Sequence, residues 1–287
     1  MNKDTTTYTE HVFERHGGHG LPPLRRYMQR VWQGRTYLYF RTRAELKARH
    51  FDSWFGQLWV VLNPLLLALV YWLLFTIVRR SSHGFDFLTF LVGGLFAYYY
   101  TRNAGQAGST AVTAGGSLIA NTTLPRVLLP MSSVLTALLL YIPGLAVYAI
   151  LHLIAGFPVG GQLLALPLIL FIQTVFNLGL VLVLSTLTVY FRDTSSFLPY
   201  VFRLWLYLSP VLYRFDEIQG TSAAGPAHVI LRMNPLYPIL ETWHQVLSDG
   251  RWPDQGLLLI ALLWAVGTLA FGAWLFLSRE RDFAVRV

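Results

Sequence analysis

The chain has 287 residues, of which 54% are hydrophobic and only 13% are charged. Soluble domains carry roughly 25% charged residues, so this composition excludes a protein with an ordinary water-facing surface. The absence of cysteine excludes disulfide and thiolate chemistry, and the net charge of +8 comes almost entirely from arginine, since Lys3 and Lys47 are the only lysines.

The first 57 residues are polar and basic, which favours a cytoplasmic tail over a cleaved signal peptide. Within them, His11, His16 and His19 lie among glycines. We interpret this stretch as a tail without a metal site, because a His-Gly-Gly-His sequence in a polar tail is weak evidence for metal binding.

The pattern changes after residue 23. Apolar side chains recur at helical spacing, with arginines on the other faces; they are Leu24, Tyr27, Met28, Val31 and Trp32. This predicts an amphipathic helix that lies in the cytoplasmic membrane interface, with its arginines near anionic headgroups. A solvated helix packed on a partner protein is the alternative.

Six segments are predicted to span a membrane. The first, 58–78, contains no charged residue, and at ~1.5 Å per residue it is long enough to cross a hydrocarbon core of ~30 Å. The others are 87–101, 127–155, 163–190, 197–213 and 256–277. We therefore expect an all-α polytopic membrane protein in which residues 1–57 form the tail and interfacial helix, and residues 58–287 form a six-span permease domain.

The stretch 214–255 between the fifth and sixth spans is too short and too broken by proline to span. It mixes apolar runs with Pro226, Pro235, Pro238 and Pro253. Such segments are tolerated at membrane depth where protein or a water-filled cavity surrounds them, which predicts re-entrant helices at the outer mouth. An ordinary surface loop is the alternative.

Basic residues predict the orientation. With the N-terminus in the cytoplasm, the inner segments 1–57, 102–126, 191–196 and 278–287 carry sixteen Lys or Arg residues, and the outer segments carry five. This asymmetry follows the positive-inside rule and places both termini in the cytoplasm.

Nothing in the sequence supplies an energy source. A phosphate-binding loop needs Gly-Lys-Ser/Thr, and neither lysine follows a glycine. The predicted span cores hold no acidic residue, since Asp86 and Asp193 lie at span edges. Both ion-coupled transport and metal-dependent transferase chemistry are therefore disfavoured, and an energy-supplying partner chain is favoured.

Four blocks of sequence carry a family resemblance. They are residues 45–64 (ELKARHFDSWFGQLWVVLNP), 118–130 with LPRVLLP at its end, 190–211 with YFRD and LSPV at its ends, and 234–236 (NPL). In this order, over roughly residues 38–255, they resemble type-2 ABC transporter permeases that export polysaccharides, the O-antigen and teichoic acid group.

The resemblance implies a half-transporter. Two copies of the chain would face each other as a homodimer, and each would dock on a cytoplasmic ATPase subunit that binds the ATP and Mg²⁺; no cofactor, metal or catalytic residue is expected on this chain, and no nucleic-acid partner. The predicted coupling residues in segment 117–126 are Leu118, Ile119, Leu124, Pro125 and Arg126. A basic helix over 38–53 is predicted to act with them through Arg41, Arg43, Lys47 and Arg49. For Arg126, a simple positive-inside anchor is the alternative.

Aromatic residues make up 15% of the chain. Tyr and Trp rings offer apolar faces to sugars while their polar tips form hydrogen bonds. The candidates for lining a substrate conduit are Tyr71, Trp72, Phe96, Tyr98, Trp205 and Tyr207. An interfacial aromatic belt is the alternative for each of them.

We therefore expect a multi-pass permease subunit in the bacterial inner membrane that exports a lipid-linked cell-envelope polysaccharide of the O-antigen, teichoic acid or galactan kind. An exporter of drugs or lipids is the alternative within the same superfamily. A membrane-embedded enzyme or assembly factor for envelope glycans is the alternative from another class.

Overall fold

The structure, a computed structural model, describes residues 23–50, 56–79, 85–116, 124–213, 231 and 233–286. Every regular element in these ranges is helical, which confirms the all-α prediction. The helices are α1 (Leu24–Gln33), α2 (Arg35–His50), α3 (Gly56–Arg79), α4 (Phe85–Ser109), α5 (Ala111–Ala114), α6 (Leu128–Ile154), a 3₁₀ turn (Gly161–Ala165), α7 (Leu166–Tyr190), α8 (Thr194–Tyr207), α9 (Leu236–Leu247), α10 (Gln255–Arg279) and α11 (Phe283–Arg286).

Within the described ranges, four helical segments are long and apolar enough to cross a membrane: Leu58–Ile77, Leu128–Ile154, Gly161–Tyr190 and Gln255–Arg279. They correspond to four of the six predicted spans. α4 has 25 residues but ends in small and polar ones. α8 has 14 residues, or about 21 Å at ~1.5 Å per residue, which is shorter than a hydrocarbon core. Spans two and five therefore stay predictions.

Local sequence explains where the last long helix begins and ends. Asp254 caps α10, because its carboxylate accepts a hydrogen bond of 2.8 Å from the backbone N–H of Leu257. Such a cap satisfies one of the donors that every helix start leaves unpaired. At the other end, Arg279 lies in the last turn, where a cation complements the helix dipole.

The closest helix pair is α7 with α10. A Cβ atom added at Gly179 of α7 would collide with the α10 backbone at Thr268 and Leu269, and one added at Gly272 would collide with the carbonyl of Gly179. Only glycine permits this approach of two backbones, and small residues at helix contacts have this effect in membrane proteins.

The long helices alternate in direction along the chain. The order of contacts along each pair shows that α4, α7 and α10 run toward one end of the bundle, and that α3, α6 and α8 run away from it. At that end, Tyr27 of α1 and Arg126 meet Glu280, and the Tyr190 hydroxyl donates to the carboxylate of Asp282 over 2.8 Å. All described segments that the sequence assigns to the inside thus lie together. We call this the basic end.

The opposite end is built around α9, which lies within the stretch predicted to be re-entrant. Ten of its twelve residues are buried, and it packs against α4, α7 and α10. His244 stacks on Phe90 at 4.0 Å between ring centroids, and its Nε2 lies 3.0 Å from the carbonyl oxygen of Pro210. Residues 214–230 of the stretch lie outside the described ranges.

A buried polar group ties the centre of the bundle together. The amide nitrogen of Gln173 donates to the carbonyl of Ala97 over 2.7 Å and to the hydroxyl of Thr101 over 3.0 Å. Its amide oxygen accepts a 2.9 Å hydrogen bond from the indole nitrogen of Trp243. One side chain on α7 therefore joins α4 to α9, and its buried polar atoms are satisfied, as burial requires.

Candidate functional site

A cleft of about 320 Å³ opens between α3, α4 and α8. Its walls combine tyrosine, arginine and apolar side chains: Leu67, Tyr71, Tyr98, Tyr99, Arg102, Pro199, Phe202, Arg203, Leu206 and Tyr207. Three of the six predicted conduit residues, Tyr71, Tyr98 and Tyr207, come together here. We call this cavity the aromatic cleft.

The tyrosines of the aromatic cleft are positioned by one another and by α8. The hydroxyl of Tyr71 donates to that of Tyr207 over 3.1 Å, and the two rings meet edge to face with centroids 6.5 Å apart. The hydroxyl of Tyr98 donates to the backbone carbonyl of Phe202. Tyr98 is almost fully buried, whereas Tyr207 is 47% exposed, so Tyr207 is the ring most open to a bound molecule.

Two arginines give the aromatic cleft a positive charge. The guanidinium of Arg102 lies 4.9 Å from the ring centroid of Tyr99, within the range of a cation–π contact. Arg203 is exposed. None of the described residues that line the cleft is acidic, and among the described residues neither arginine forms a salt bridge. The cleft is therefore a cationic and aromatic surface, suited to hydroxylated or anionic groups.

The other three predicted conduit residues lie elsewhere in the fold. Phe96 is 4% exposed and packs against Gly144 of α6. Trp72 is half-buried and packs against the main core. The indole nitrogen of Trp205 donates to Asn234 over 2.8 Å, and its ring stacks on Phe202 at 5.9 Å. Their assignment to a conduit stays a prediction.

Asn234 joins the two Pro-containing motifs of the sequence. Its amide nitrogen donates to the carbonyl of Leu208 and to the hydroxyl of Ser209, both at 2.9 Å. Its amide oxygen accepts from Trp205 and from the backbone N–H of Leu236 at 3.0 Å. One side chain therefore fixes the end of α8 to the start of α9, directly beyond the aromatic cleft.

The predicted coupling segment is described in part. Leu118 and Ile119 lie outside the described residues, Leu124 is half-buried, and Pro125 is buried. The backbone N–H of Arg126 donates to the Glu280 carboxylate over 2.8 Å.

The Glu280 carboxyl group holds three parts of the basic end together. The Arg126 guanidinium donates to the backbone carbonyl of Glu280, and the Tyr27 hydroxyl donates to its carboxylate over 3.0 Å. Burial raises the pKa of Glu280, although the hydrogen bonds from Arg126 and Tyr27 oppose this shift. The segment before α6 is thus attached to both the N-terminal helix and the end of the last span.

The predicted basic helix is α2, and it is attached to α6. The guanidinium of Arg41 lies 2.8 Å from the Glu45 carboxylate. That carboxylate also accepts hydrogen bonds from Ser132 at 3.0 Å and Thr136 at 2.9 Å. Arg43 and Lys47 are exposed. Arg49 lies in α2, but its side chain is outside the described part of the chain.

Sequence reasoning missed Arg102, Arg203 and Glu280 as site residues. Arg203 did carry a signal, because an ionisable residue within a predicted span marks function by default. Arg102 directly follows the predicted second span, so the sequence favours its interpretation as an ordinary charge at the membrane interface. Glu280 carried no signal, since its role depends on contacts with residues more than 150 positions away.

Comparison with known proteins covers most of these elements. Residues 25–247 match the family described as ABC-2 type transporter. The chain is 30% identical over 266 residues to the O-antigen export system permease protein RfbA of Myxococcus xanthus, which covers 90% of this chain and 98% of that protein. Two proteins of the same name from Klebsiella pneumoniae are each 29% identical over 210 residues, which covers 73% of this chain and 79% of each relative.

Proposed function

The chain belongs to the ABC-2 type transporter family, and we propose that it is the permease subunit of an exporter that carries a lipid-linked cell-envelope polysaccharide across the bacterial inner membrane. The names of its O-antigen export relatives support this substrate class. O-antigen-, teichoic acid- and galactan-like glycans share the chemistry that the site has to recognise, which is a hydroxyl-rich chain on a lipid anchor.

The exposed Arg203 in the aromatic cleft is the observation that carries the proposal. Arg203 lies nine residues beyond Thr194, or about 14 Å along α8 at ~1.5 Å per residue. An arginine near the middle of a membrane costs at least ~2.5 kcal/mol when it is inserted among lipids. This face of α8 therefore borders water or protein, as the wall of a conduit between two facing copies would.

The proposed topology has six crossings, with both termini in the cytoplasm. Its support is the alternating direction of α3, α4, α6, α7, α8 and α10, together with the arginines collected at the basic end. α8 crosses with the help of the non-helical residues 208–213, which Asn234 fixes in place. α9 is the described part of the proposed re-entrant structure at the outer mouth.

The proposed interfacial helix is α1. Leu24, Met28 and Trp32 are exposed, and their spacing of four residues places them on one face. Tyr27 points inward to Glu280. An exposed apolar stripe flanked by arginines is typical of helices that lie in a membrane interface.

The proposed energy source is a pair of cytoplasmic ATPase subunits, which would bind the ATP and Mg²⁺ and dock on the homodimer. Support comes from the absence of a phosphate-binding sequence motif in this chain and from its family. The docking surface we propose is segment 117–126 with the exposed arginine and lysine side chains of α2. Motion received there reaches the spans through Glu280 and Glu45, because both carboxylates hold this surface to long helices.

The test is export of glycan in cells. Deleting the gene should remove the envelope polysaccharide from the cell surface and leave its lipid-linked precursor in the inner leaflet. Precursor is quantified by extraction and surface glycan by labelling of intact cells. Unchanged surface glycan with a new sensitivity to drugs would favour the drug or lipid exporter. Loss of glycan without precursor would favour an assembly enzyme.

A further inference from the structure

The two arginines of the aromatic cleft are positioned for an anion. Arg102 lies on α4 and Arg203 on α8. Within the described part of the chain, neither guanidinium has a carboxylate partner. A charge removed from bulk water needs a counter-charge or strong hydrogen bonds. The cation–π contact of Arg102 with Tyr99 supplies only part of this compensation, so the cleft has capacity for a negative ligand.

We propose that the aromatic cleft binds the phosphate group of a lipid-linked substrate, with Arg102 and Arg203 as the anion-binding residues. This inference rests on the proposed function, and it adds that the transporter recognises the phosphate linker as well as the sugars. Guanidinium groups match phosphate oxygens with two parallel hydrogen bonds. Two arginines with no acidic residue among the described side chains that line the cleft match a dianion better than the single carboxylate of an acidic sugar.

The depth of the site fits a linker between lipid and glycan. Arg102 precedes the end of α4 at Ser109 by seven residues, or about 10 Å at ~1.5 Å per residue. Arg203 lies about 14 Å from the start of α8 by the same measure. Both ends belong to the basic end of the bundle, so the site lies between that end and the middle of the span, where a substrate phosphate that enters the conduit from the cytoplasmic leaflet can reach it.

The tyrosines complete the site. Tyr71 and Tyr207 bond to each other through their hydroxyls, and either hydroxyl can turn its proton to a phosphate oxygen. The exposed ring of Tyr207 provides an apolar face for the first sugar. A cleft of about 320 Å³ lies within the ~300–1,000 Å³ range of small-molecule sites, which is enough for a phosphate and one sugar ring.

The test is equilibrium binding of radiolabelled farnesyl diphosphate to the purified full-length chain in nanodiscs. Arg102→Gln and Arg203→Gln should each weaken binding roughly tenfold, as expected for the loss of a charge-assisted hydrogen bond. The double variant should weaken it further, and Arg203→Lys should restore part of the loss. Arg251→Gln is the control, because Arg251 pairs with Asp249 at the opposite end.

The result of this binding experiment supports or overturns the phosphate site. Equal affinity of wild type and double variant, with both proteins folded by size-exclusion chromatography and melting temperature, overturns the proposal. Inorganic pyrophosphate that competes as strongly as unlabelled farnesyl diphosphate overturns it too, because the site would then take a free anion. The gene deletion tests the proposed function separately. If deletion of the gene abolishes glycan export while the double variant of Arg102 and Arg203 still binds farnesyl diphosphate as the wild type does, the proposed function stands and only the assignment of the phosphate site is wrong.

Discussion

α7 and α3 are similarly apolar, yet they occupy very different surroundings. In the most apolar stretch of Gly161–Tyr190, 56% of the residues are buried inside the protein. In the most apolar stretch of Leu58–Ile77, only 17% of the residues are buried. Hydropathy alone does not separate the two, because lipid and protein interior are both apolar solvents for a helix. The difference lies in the polar and small residues, which packing against protein requires and lipid does not.

α7 carries those residues and α3 mostly lacks them. Gln173 links α7 to two neighbouring elements, and Gly179 allows the backbone of α10 to approach. α3 instead has several exposed leucines that face away from the bundle, and only Leu67 and Tyr71 of this helix line the aromatic cleft. The comparison indicates that α7 is the fixed centre of the fold, and that α3 is free to meet lipid or a second copy of the chain.

The largest expected effect is at Gly179. Gly179→Leu should remove most folded protein, because its side chain would collide with the α10 backbone at Thr268 and Leu269. We expect a loss of at least ~3 kcal/mol in the free energy of unfolding, at the upper end of overpacking costs. The measurement is the yield of monodisperse protein in detergent and its melting temperature.

Gly267→Leu is the matched control. Gly267 lies next to Thr268 on α10, but it is exposed, and a Cβ there would meet nothing within 4 Å. This variant should stay within ~1 kcal/mol of the wild type, as surface substitutions do. Equal damage from both variants would contradict the assignment of α7 as the fixed centre.

Substitutions at Trp205 and Tyr207, two residues apart on α8, should have smaller and different effects on stability and on export. Trp205→Phe keeps the aromatic ring but loses the hydrogen bond to Asn234, so stability should fall by about 1–2 kcal/mol while export continues. Tyr207→Ala removes a half-exposed ring, so stability should change by less than ~1 kcal/mol while export falls severalfold. Melting temperature and surface glycan are measured together.

The opposite pattern would exchange the two roles. A Trp205→Phe protein of normal stability with reduced export would make Trp205 the residue that meets substrate. A Tyr207→Ala protein that exports normally would remove Tyr207 from the conduit, leaving the interfacial aromatic belt as its explanation.

The smallest expected effect is the pH dependence due to Glu280. Burial raises its pKa in the folded protein above the ordinary value of ~4.3, so the folded state binds this proton more tightly than the unfolded state does. The resulting stability is fully present below the unfolded pKa and is lost as pH rises through the folded pKa. The melting temperature of wild type relative to Glu280→Gln should therefore increase as pH falls from neutrality to about 5.

A constant difference between the two proteins over this range would contradict the burial of the carboxyl group. An additional readout is the stimulation of the proposed ATPase partner. Glu280→Ala should reduce this stimulation, since it removes the carboxylate that accepts from the Arg126 backbone N–H and from the Tyr27 hydroxyl, whereas Glu280→Gln keeps an acceptor for both.

The sequence predicted the helices well where membrane length and apolar composition agree. Segment 58–78 has no charge, and the helix observed there is Gly56–Arg79. The predicted fifth span over 197–213 contains a Ser209-Pro210 interruption, and α8 ends at Tyr207, just before it. Pro210 cannot continue the helix, and what the sequence did not predict is the partner of the freed carbonyl of Leu208, since Asn234 lies more than twenty positions further along the chain.

The six conduit candidates divide between the aromatic cleft and other parts of the fold, and the sequence could not distinguish them. Phe96 and Tyr98 were equal candidates, but residues two apart point about 200° apart at 3.6 residues per turn. Phe96 packs on Gly144 of α6, and Tyr98 reaches the cleft. The hydropathy of α4 is nearly uniform around its circumference, so no periodicity marks which face meets which neighbour. That choice is made by the packing of other helices.

The hydrogen bond between Tyr27 and Glu280 also determines at which stage of synthesis α1 can dock on the rest of the protein. It joins residues 253 positions apart, so nearly the whole chain has to be synthesised before α1 has its inward partner. During translation the N-terminal helix can reach the membrane early through its apolar stripe, but its docking waits for the last span to insert. A copy that loses its C-terminus therefore leaves α1 and Arg126 without this attachment, which makes a complete C-terminus the condition for an ordered surface at the basic end.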